Sequence, residues 1–285
     1  MPYRPEILSE ADYRTRSDSL PVNFYDYPIL AEGDSWFSFG GSPKANLLSE
    51  LSLERPSLIL NFANPGDQIR KMTKLGHRTF FHLLLKEPSR FWSVLLLSGG
   101  GNDVIADLQD ILRAPAAGAS VTDPASYINP VAFADTLRSV QEGYNRISDL
   151  RRGTAHERMP IIAHTYDYAM PRSAPSRILG RNFGPWLRPR LAAVGVPSGM
   201  EPMVADALFT LLAETILDLS RPGSSTQLPN FHVVDTRGTL IPADPKSTGK
   251  SNDWLNEIHP TREGFEKIAI GRLNGAIDRI LRQAF

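Results

Sequence analysis

The chain of 285 residues balances 31 lysines and arginines against 31 aspartates and glutamates and contains no cysteine. Its length gives core enough for one large domain or two small ones, and its charge balance leaves no basic block for nucleic acid or an anionic membrane. The lack of cysteine excludes disulfides, zinc–cysteine centres and a thiol nucleophile, and fits a cytoplasmic protein.

The N-terminus is acidic early and lacks an apolar signal-peptide core, and no run approaches the ~18 apolar residues of a membrane span. The expectation is a soluble, cytoplasmic protein. Residues 1–24 are polar and irregular and read as a surface arm, and residues 25–285 read as one domain. A first buried strand covers 27–33 and ends abruptly in Gly33-Asp34-Ser35. A helix is expected over Pro43–Leu51, with Ser42 as its cap and proline in its first turn.

Ser57–Ala63 is a second short strand, ended by Asn64-Pro65-Gly66-Asp67, and helical patterns follow over 67–74 and 77–86. The clearest strand is Phe91–Ser98, apolar without alternation, as expected of a strand buried on both faces of a parallel sheet. It runs into Gly99-Gly100-Gly101-Asn102-Asp103. Residues 111–130, rich in Ala, Pro, Gly and Ser, read as loop. Phe133, Leu137, Val140, Tyr144 and Ile147 recur at helical spacing, which predicts an amphipathic helix over 131–151.

Met159–Tyr166 is a fourth strand. A proline-broken insertion follows over about 169–199, carrying Phe183 and Trp186 beside Arg172, Arg177, Arg181, Arg188 and Arg190. It reads as a lid or wall that shapes selectivity, or as a contact in a homo-oligomer. A helix spans 201–219, with Leu208, Leu211, Leu212 and Ile216 on one face. Phe231–Asp235 is the fifth strand, 241–253 is loop, and an amphipathic helix closes the chain over 262–284.

Five short apolar strands alternating with helices imply an α/β fold with a parallel sheet covered on both sides. The loops after the first three strands then carry Ser35, Gly66 and Asn102 to one crevice. Acyl transfer by serine needs a hydroxyl, a base, an orienter for that base, and donors aimed at the developing oxyanion. Ser35 supplies the hydroxyl. His259, on a loop before the last helix, supplies the base. The backbone amides of Ser35 and Gly66 and the side-chain amide of Asn102 supply the donors.

In this order, Gly33-Asp34-Ser35, Gly66, Gly100-Gly101-Asn102-Asp103 and His259-Pro260 resemble the four blocks of the SGNH/GDSL hydrolases. The resemblance spans residues 29 to about 270 and implies a three-layer α/β/α, flavodoxin-like fold. It also implies ester hydrolysis through an acyl-serine, with Ser35 as nucleophile, His259 as general base, and Ser35, Gly66 and Asn102 forming the oxyanion hole. In that family an acidic residue usually lies three positions before the histidine, where this chain has Asn256. Asp253 is the candidate for the missing role, with Asn256 or a backbone carbonyl as the alternative. Glu257 reads as a surface residue of the loop.

Of the other histidines, His164 and His232 read as packing residues, and His77, His82 and His156 as surface residues. No histidine–carboxylate spacing suits a metal, and no cofactor is expected. Tyr166 and Tyr168, just past the fourth strand, are candidates for substrate contact. The expected partner is a small-molecule ester with a small or medium acyl group. Two alternatives keep the same fold: an acyltransferase that passes the acyl group to a sugar or alcohol, and an inactive module that only binds.

Overall fold

A computed structural model describes residues 2–16, 24–39, 45–88, 91–178 and 181–284, without the side chains of 75–80 and 178. In chain order its strands are β1 (Glu6–Ser9), β2 (Tyr27–Gly33), β3 (Ser57–Asn61), β4 (Val94–Ser98), β5 (Ile161–His164), β6 (Ser176–Ile178), β7 (Arg181–Phe183) and β8 (Phe231–Val234). Among the described residues six of them form one sheet in the order β1-β3-β2-β4-β5-β8, while β6 and β7 pair antiparallel outside it. Every neighbouring pair in the larger sheet is parallel.

Leaving aside the edge strand β1, the order is that of flavodoxin-like folds, in which the chain starts near the middle and winds outward both ways. Successive residues of a strand point to opposite faces, and every residue of β2, β4 and β5 is buried. Both faces of the sheet are therefore covered, which makes three layers.

The helices are α1 (Glu10–Arg16), the single turn α2 (Ser35–Ser38), α3 (Leu75–Lys86), α4 (Gly101–Ile111), α5 (Pro130–Asp149), α6 (Arg188–Ala193), α7 (Glu201–Asp218), α8 (Arg262–Ile268) and α9 (Asn274–Ala284). Helix α5 starts on Asn129, whose side chain accepts from the N–H groups of Val131 and Ala132, with Pro130 in the first turn. That is the start signal its sequence carries. Helices α4, α5 and α7 meet above Gly100, where an added Cβ would lie 3.2 Å from Leu212 and 3.3 Å from Val140. Helix α9 is fixed at the opposite end of the strands, where Asn274 and Asp278 accept from the N–H groups of Ser52 and Glu54.

Several expectations are corrected. The sheet has a sixth strand, β1, within the stretch expected to be an irregular arm. It takes its ladder from β3 (Glu6 opposite Leu58, Ser9 opposite Asn61) rather than from any hydrophobicity of its own. Ser9 and Asp12 then cap α1 reciprocally, each side chain accepting from the other's backbone N–H at 3.1 Å, a capping box written in the sequence as Ser-x-x-Asp. Of the helix expected over 43–51, the described part, 45–51, holds only a 3₁₀ turn at Leu48–Glu50, while residues 43 and 44 and the Ser42 cap lie outside the described residues. Leu211 is 47% exposed, on the outer side of α7. The closing helix is interrupted between α8 and α9 by a wider π-type turn at Ala269–Leu273.

Candidate active site

Strand β2 feeds β3 on one side, and β4 returns on the other, so the carboxyl ends of β2 and β4 flank the point where the winding reverses. Ligands of open α/β sheets bind at such points. Ser35 follows β2 and Asn102 follows β4. Gly33 closes the approach between these strands, since a Cβ there would sit 2.8 Å from both Cβ and the carbonyl oxygen of Ser98.

Ser35 opens α2, capped by Asp34, whose side chain accepts from Trp36 N–H at 2.9 Å. The first N–H of a helix turn has no partner within the helix, so the Ser35 amide is available to a ligand. The other oxygen of Asp34 accepts from the Tyr166 hydroxyl at 2.5 Å, and Ser98 donates to Asp34 at 2.8 Å. This buried carboxylate holds the Ser35 turn, and its oxygens bind Trp36, Ser98 and Tyr166 rather than His259.

His259 lies in a tight loop in which Leu255 N–H donates to the His259 carbonyl at 2.9 Å. Its Nε2 is 2.8 Å from Ser35 Oγ and its Nδ1 is 3.0 Å from Asn256 Oδ1. The same Asn256 oxygen accepts from the backbone N–H groups of Ile258 (3.0 Å) and His259 (2.9 Å). An atom facing two N–H donors must be the carbonyl oxygen, so His259 Nδ1 carries the ring proton and Nε2 presents its lone pair to Ser35. Phe39 stacks on one face of the imidazole (4.2 Å between centroids), and Trp186 meets it edge-on at 5.6 Å. Burial pushes the His259 pKa down to about 3. With no other cause acting on it, the ring is neutral near pH 7.

Asp253 does not orient the histidine. Both its oxygens bind Lys267 Nζ (2.7 and 2.8 Å), and one also accepts from Ile241 N–H at 2.7 Å. Of the two candidates for the third position, the structure puts Asn256 on His259. Glu257, expected at the surface, is fully buried.

Asn102, half-buried at the start of α4, gives one amide hydrogen to the Asp67 carbonyl at 3.0 Å and keeps a second for a ligand. Gly66, beside Asp67, adopts φ +85°, a left-handed conformation that suits glycine. Next to Asn102, Asp103 is buried with its carboxylate accepting from Ile69 and Arg70 N–H groups, and burial pushes its pKa up to about 6. These bonds tie the loop after β3 to the head of α4 and bring the two candidate oxyanion donors together.

Ser35, Trp36, Gly101, Asn102, Ile105, Tyr166, Ala169, Phe209 and Ile258 line a cleft with about 20 Å³ of free volume. Tyr166 is thus a wall of the cleft, with its hydroxyl committed to Asp34. Tyr168 is not among the lining residues; its hydroxyl pairs with Thr210 on α7 at 3.2 Å. His164 is buried and stacked on Trp36, as expected, and burial lowers its pKa. His82 and His156 are corrections, both buried, the latter with Nδ1 2.9 Å from the Leu85 carbonyl oxygen. The His77 side chain lies outside the described ones. The sequence marks Trp186 only as part of the 169–199 wall and Phe39 not at all, because no local pattern says which aromatic of a loop will meet a histidine more than 70 positions away.

No protein-family model and no curated protein matches the sequence. Solved structures similar to it include an extracellular lipase from Streptomyces rimosus, at 16% identity over 91% of this chain and 100% of that one, with a TM-score of 0.44. A catalytic mutant of an acetylxylan esterase from Geobacillus stearothermophilus matches at 13% identity over 90% and 94%, with a TM-score of 0.41. A salicylyl-acyltransferase from a tetracycline biosynthetic pathway matches at 13% over 88% and 54%, with a TM-score of 0.37. At this level of similarity the reading of the site rests on its own residues. No helix among the described residues is long and apolar enough to cross a membrane.

Proposed function

We propose that the chain is a serine hydrolase of the SGNH type that cleaves esters of short acyl groups. The observation that carries this reading is the hydrogen-bond chain Ser35–His259–Asn256, with the histidine tautomer fixed so that its lone pair faces the hydroxyl. Ser35 Oγ attacks the ester carbonyl as His259 Nε2 takes its proton, and the carbonyl oxygen becomes an oxyanion. Asn102 Nδ2 and the backbone N–H groups of Ser35 and Gly66 stabilise it. Collapse expels the alkoxide, which takes the proton from His259 and leaves an acyl-serine. Water then repeats the sequence, with His259 as its base, and releases the acid.

The cleft supports a small acyl group. Only about 20 Å³ of it is open to the centre of a water-sized molecule, little more than one water needs, and Ile105, Phe209 and Ala169 line it beside Asp34 and Asp167. An acetyl or propionyl group suits it better than a long chain. The test is an acyl-length series of nitrophenyl esters, with Ser35→Ala as the blank and fluorophosphonate labelling as the probe of the serine. The reading predicts labelling of Ser35 and a rate that falls steeply beyond about four carbons. A wild-type chain that is neither labelled nor active would refute it. Adding an alcohol to the assay shows whether the acyl group goes to water or, as in an acyltransferase, to a hydroxyl.

A further inference from the structure

Beside the histidine, the chain buries a carboxylate that the proposed chemistry leaves unused. Glu257 is fully buried, two residues before His259. One of its oxygens accepts from the backbone N–H groups of Trp186 and Leu187, and the other from those of Arg188 (2.9 Å) and Arg172 (3.2 Å). Its own backbone N–H donates to the Ala174 carbonyl at 3.0 Å. All of these partners belong to the 169–199 insertion.

The insertion answers with a charge of its own. Arg172 is fully buried, and its guanidinium donates to the Asn256 carbonyl (2.7 Å) and to the carbonyls of Ser247 (3.2 Å) and Gly249. A carboxylate from the histidine loop thus holds the insertion's backbone, and a guanidinium from the insertion holds the backbone of the histidine loop. Charge-assisted bonds of this kind are among the strongest a protein makes. They also press Trp186 against the imidazole.

Building on the hydrolase reading above, we propose that Glu257 is a positioning residue: it fastens the 169–199 insertion over His259, so that the insertion forms the wall that keeps the base fixed and dry. Among the described residues, the groups that meet the imidazole (Ser35, Asn256, Phe39 and Trp186) are uncharged. The depressed pKa of His259 has burial as its cause, so it gauges how well the wall is shut. If the wall loosens and water reaches the ring, the pKa climbs back toward the ordinary ~6.5.

Glu257→Gln tests this, because it turns one acceptor oxygen into an amide that faces two N–H donors. The primary readout is the NMR titration of the His259 ring, assigned with His259→Gln. In the wild type the ring should stay neutral to below about pH 4. In folded Glu257→Gln the proposal expects its midpoint to rise by at least one unit, and turnover to drop on the order of 10²-fold through misplacement of the base. A merely structural role would lower the melting temperature and leave the His259 midpoint where it was. That result in a folded variant overturns the proposal. Should Glu257→Gln fail to fold, Trp186→Ala decides, since it opens the wall and spares the clamp. A raised midpoint there supports the proposal, and an unmoved one overturns it. The titration needs no substrate, so failure of the hydrolase reading would show in the ester and labelling assays and not here.

Discussion

Replacing Asn256 by aspartate puts a negative charge where the structure holds a neutral amide, 3.0 Å from His259 Nδ1. The oxygen that accepts from Ile258, His259 and the ring is retained, and the unpartnered, buried Nδ2 becomes the second carboxylate oxygen. Three N–H donors favour the ionised form of the new side chain. Its charge then lies about 4 Å from that of the imidazolium, worth roughly 4 kcal/mol at an effective dielectric constant of about 20. At ~1.4 kcal/mol per unit this is close to three pKa units, and burial of the second oxygen without a partner takes part of it back.

The sign follows from the proton carried. The carboxylate stabilises the protonated ring, so the His259 pKa rises, from about 3 to about 5–6. The acid limb of the profile of kcat/KM against pH marks the loss of the neutral base, and it should move up by about two units or more. Above pH 7 the ring is still neutral in the ground state, and the same charge stabilises the imidazolium that forms in the transition state. The rate on a short-chain ester there should increase by roughly 10- to 10³-fold, the latter if nearly all of the interaction is expressed. The assay is a pH series on nitrophenyl acetate with wild type and Asn256→Asp side by side. A folded variant whose acid limb and plateau both coincide with those of the wild type would refute the account of His259 as a base without a countercharge.

Three further outcomes follow. Asn102→Ala removes one oxyanion donor and should lower kcat by about 10²- to 10³-fold with little change in KM; wild-type turnover on nitrophenyl acetate would take Asn102 out of the oxyanion hole. Phe209→Ala widens the cleft beside Ile105 and should shift the preferred acyl length upward by a few carbons, read as the ratio of butyrate to acetate rates. An unchanged ratio would mean that the acyl group lies elsewhere. Asp253→Asn removes the charge from the pair with Lys267, whose side chain is 44% exposed while that of Asp253 is 8% exposed, and puts an amide where Lys267 and Ile241 N–H donate, so the stability loss should be about 1–3 kcal/mol in a denaturant titration. The pH–rate profile should not move, because Asp253 faces Lys267 and not the histidine.

What the sequence disclosed and what it hid divide along a physical line. The runs at Val94–Ser98 and Ile161–His164 are legible because burial on both faces writes itself into consecutive apolar residues. The turns at Ser35 and Asn102 are legible because they end such strands. β1 was hidden, since an edge strand needs one partner and little hydrophobicity. The third position beside His259 was hidden for a different reason. Asp253 and Asn256 both lie within reach of the histidine in sequence, and the charge favours the first. What decides is Lys267, a turn into α8, which captures Asp253, and the backbone of the 256–259 turn, whose N–H groups converge on the Asn256 oxygen. Glu257 reads as exposed in sequence because its partners lie some 70–85 positions away, in a segment without periodicity of its own.

The acidic member of a serine triad does two things: it holds the base in one tautomer and orientation, and it supplies charge against the imidazolium. Here the two jobs are separable. Asn256 performs the first completely, because its carbonyl oxygen is pinned by two backbone donors and so can only accept from the ring. The second goes unperformed, although a carboxylate lies one residue away. Glu257 cannot serve His259 while its two oxygens hold the insertion. On the proposed reading the site forgoes electrostatic help to the base and takes a wall over it instead, and burial lowers the basicity of the ring. The wall and the charge oppose each other in this respect: closing the wall lowers the His259 pKa, and a neighbouring carboxylate raises it. In the proposed hydrolase such a site would work with a weak, fixed base, whose conjugate acid is correspondingly strong toward the departing alkoxide.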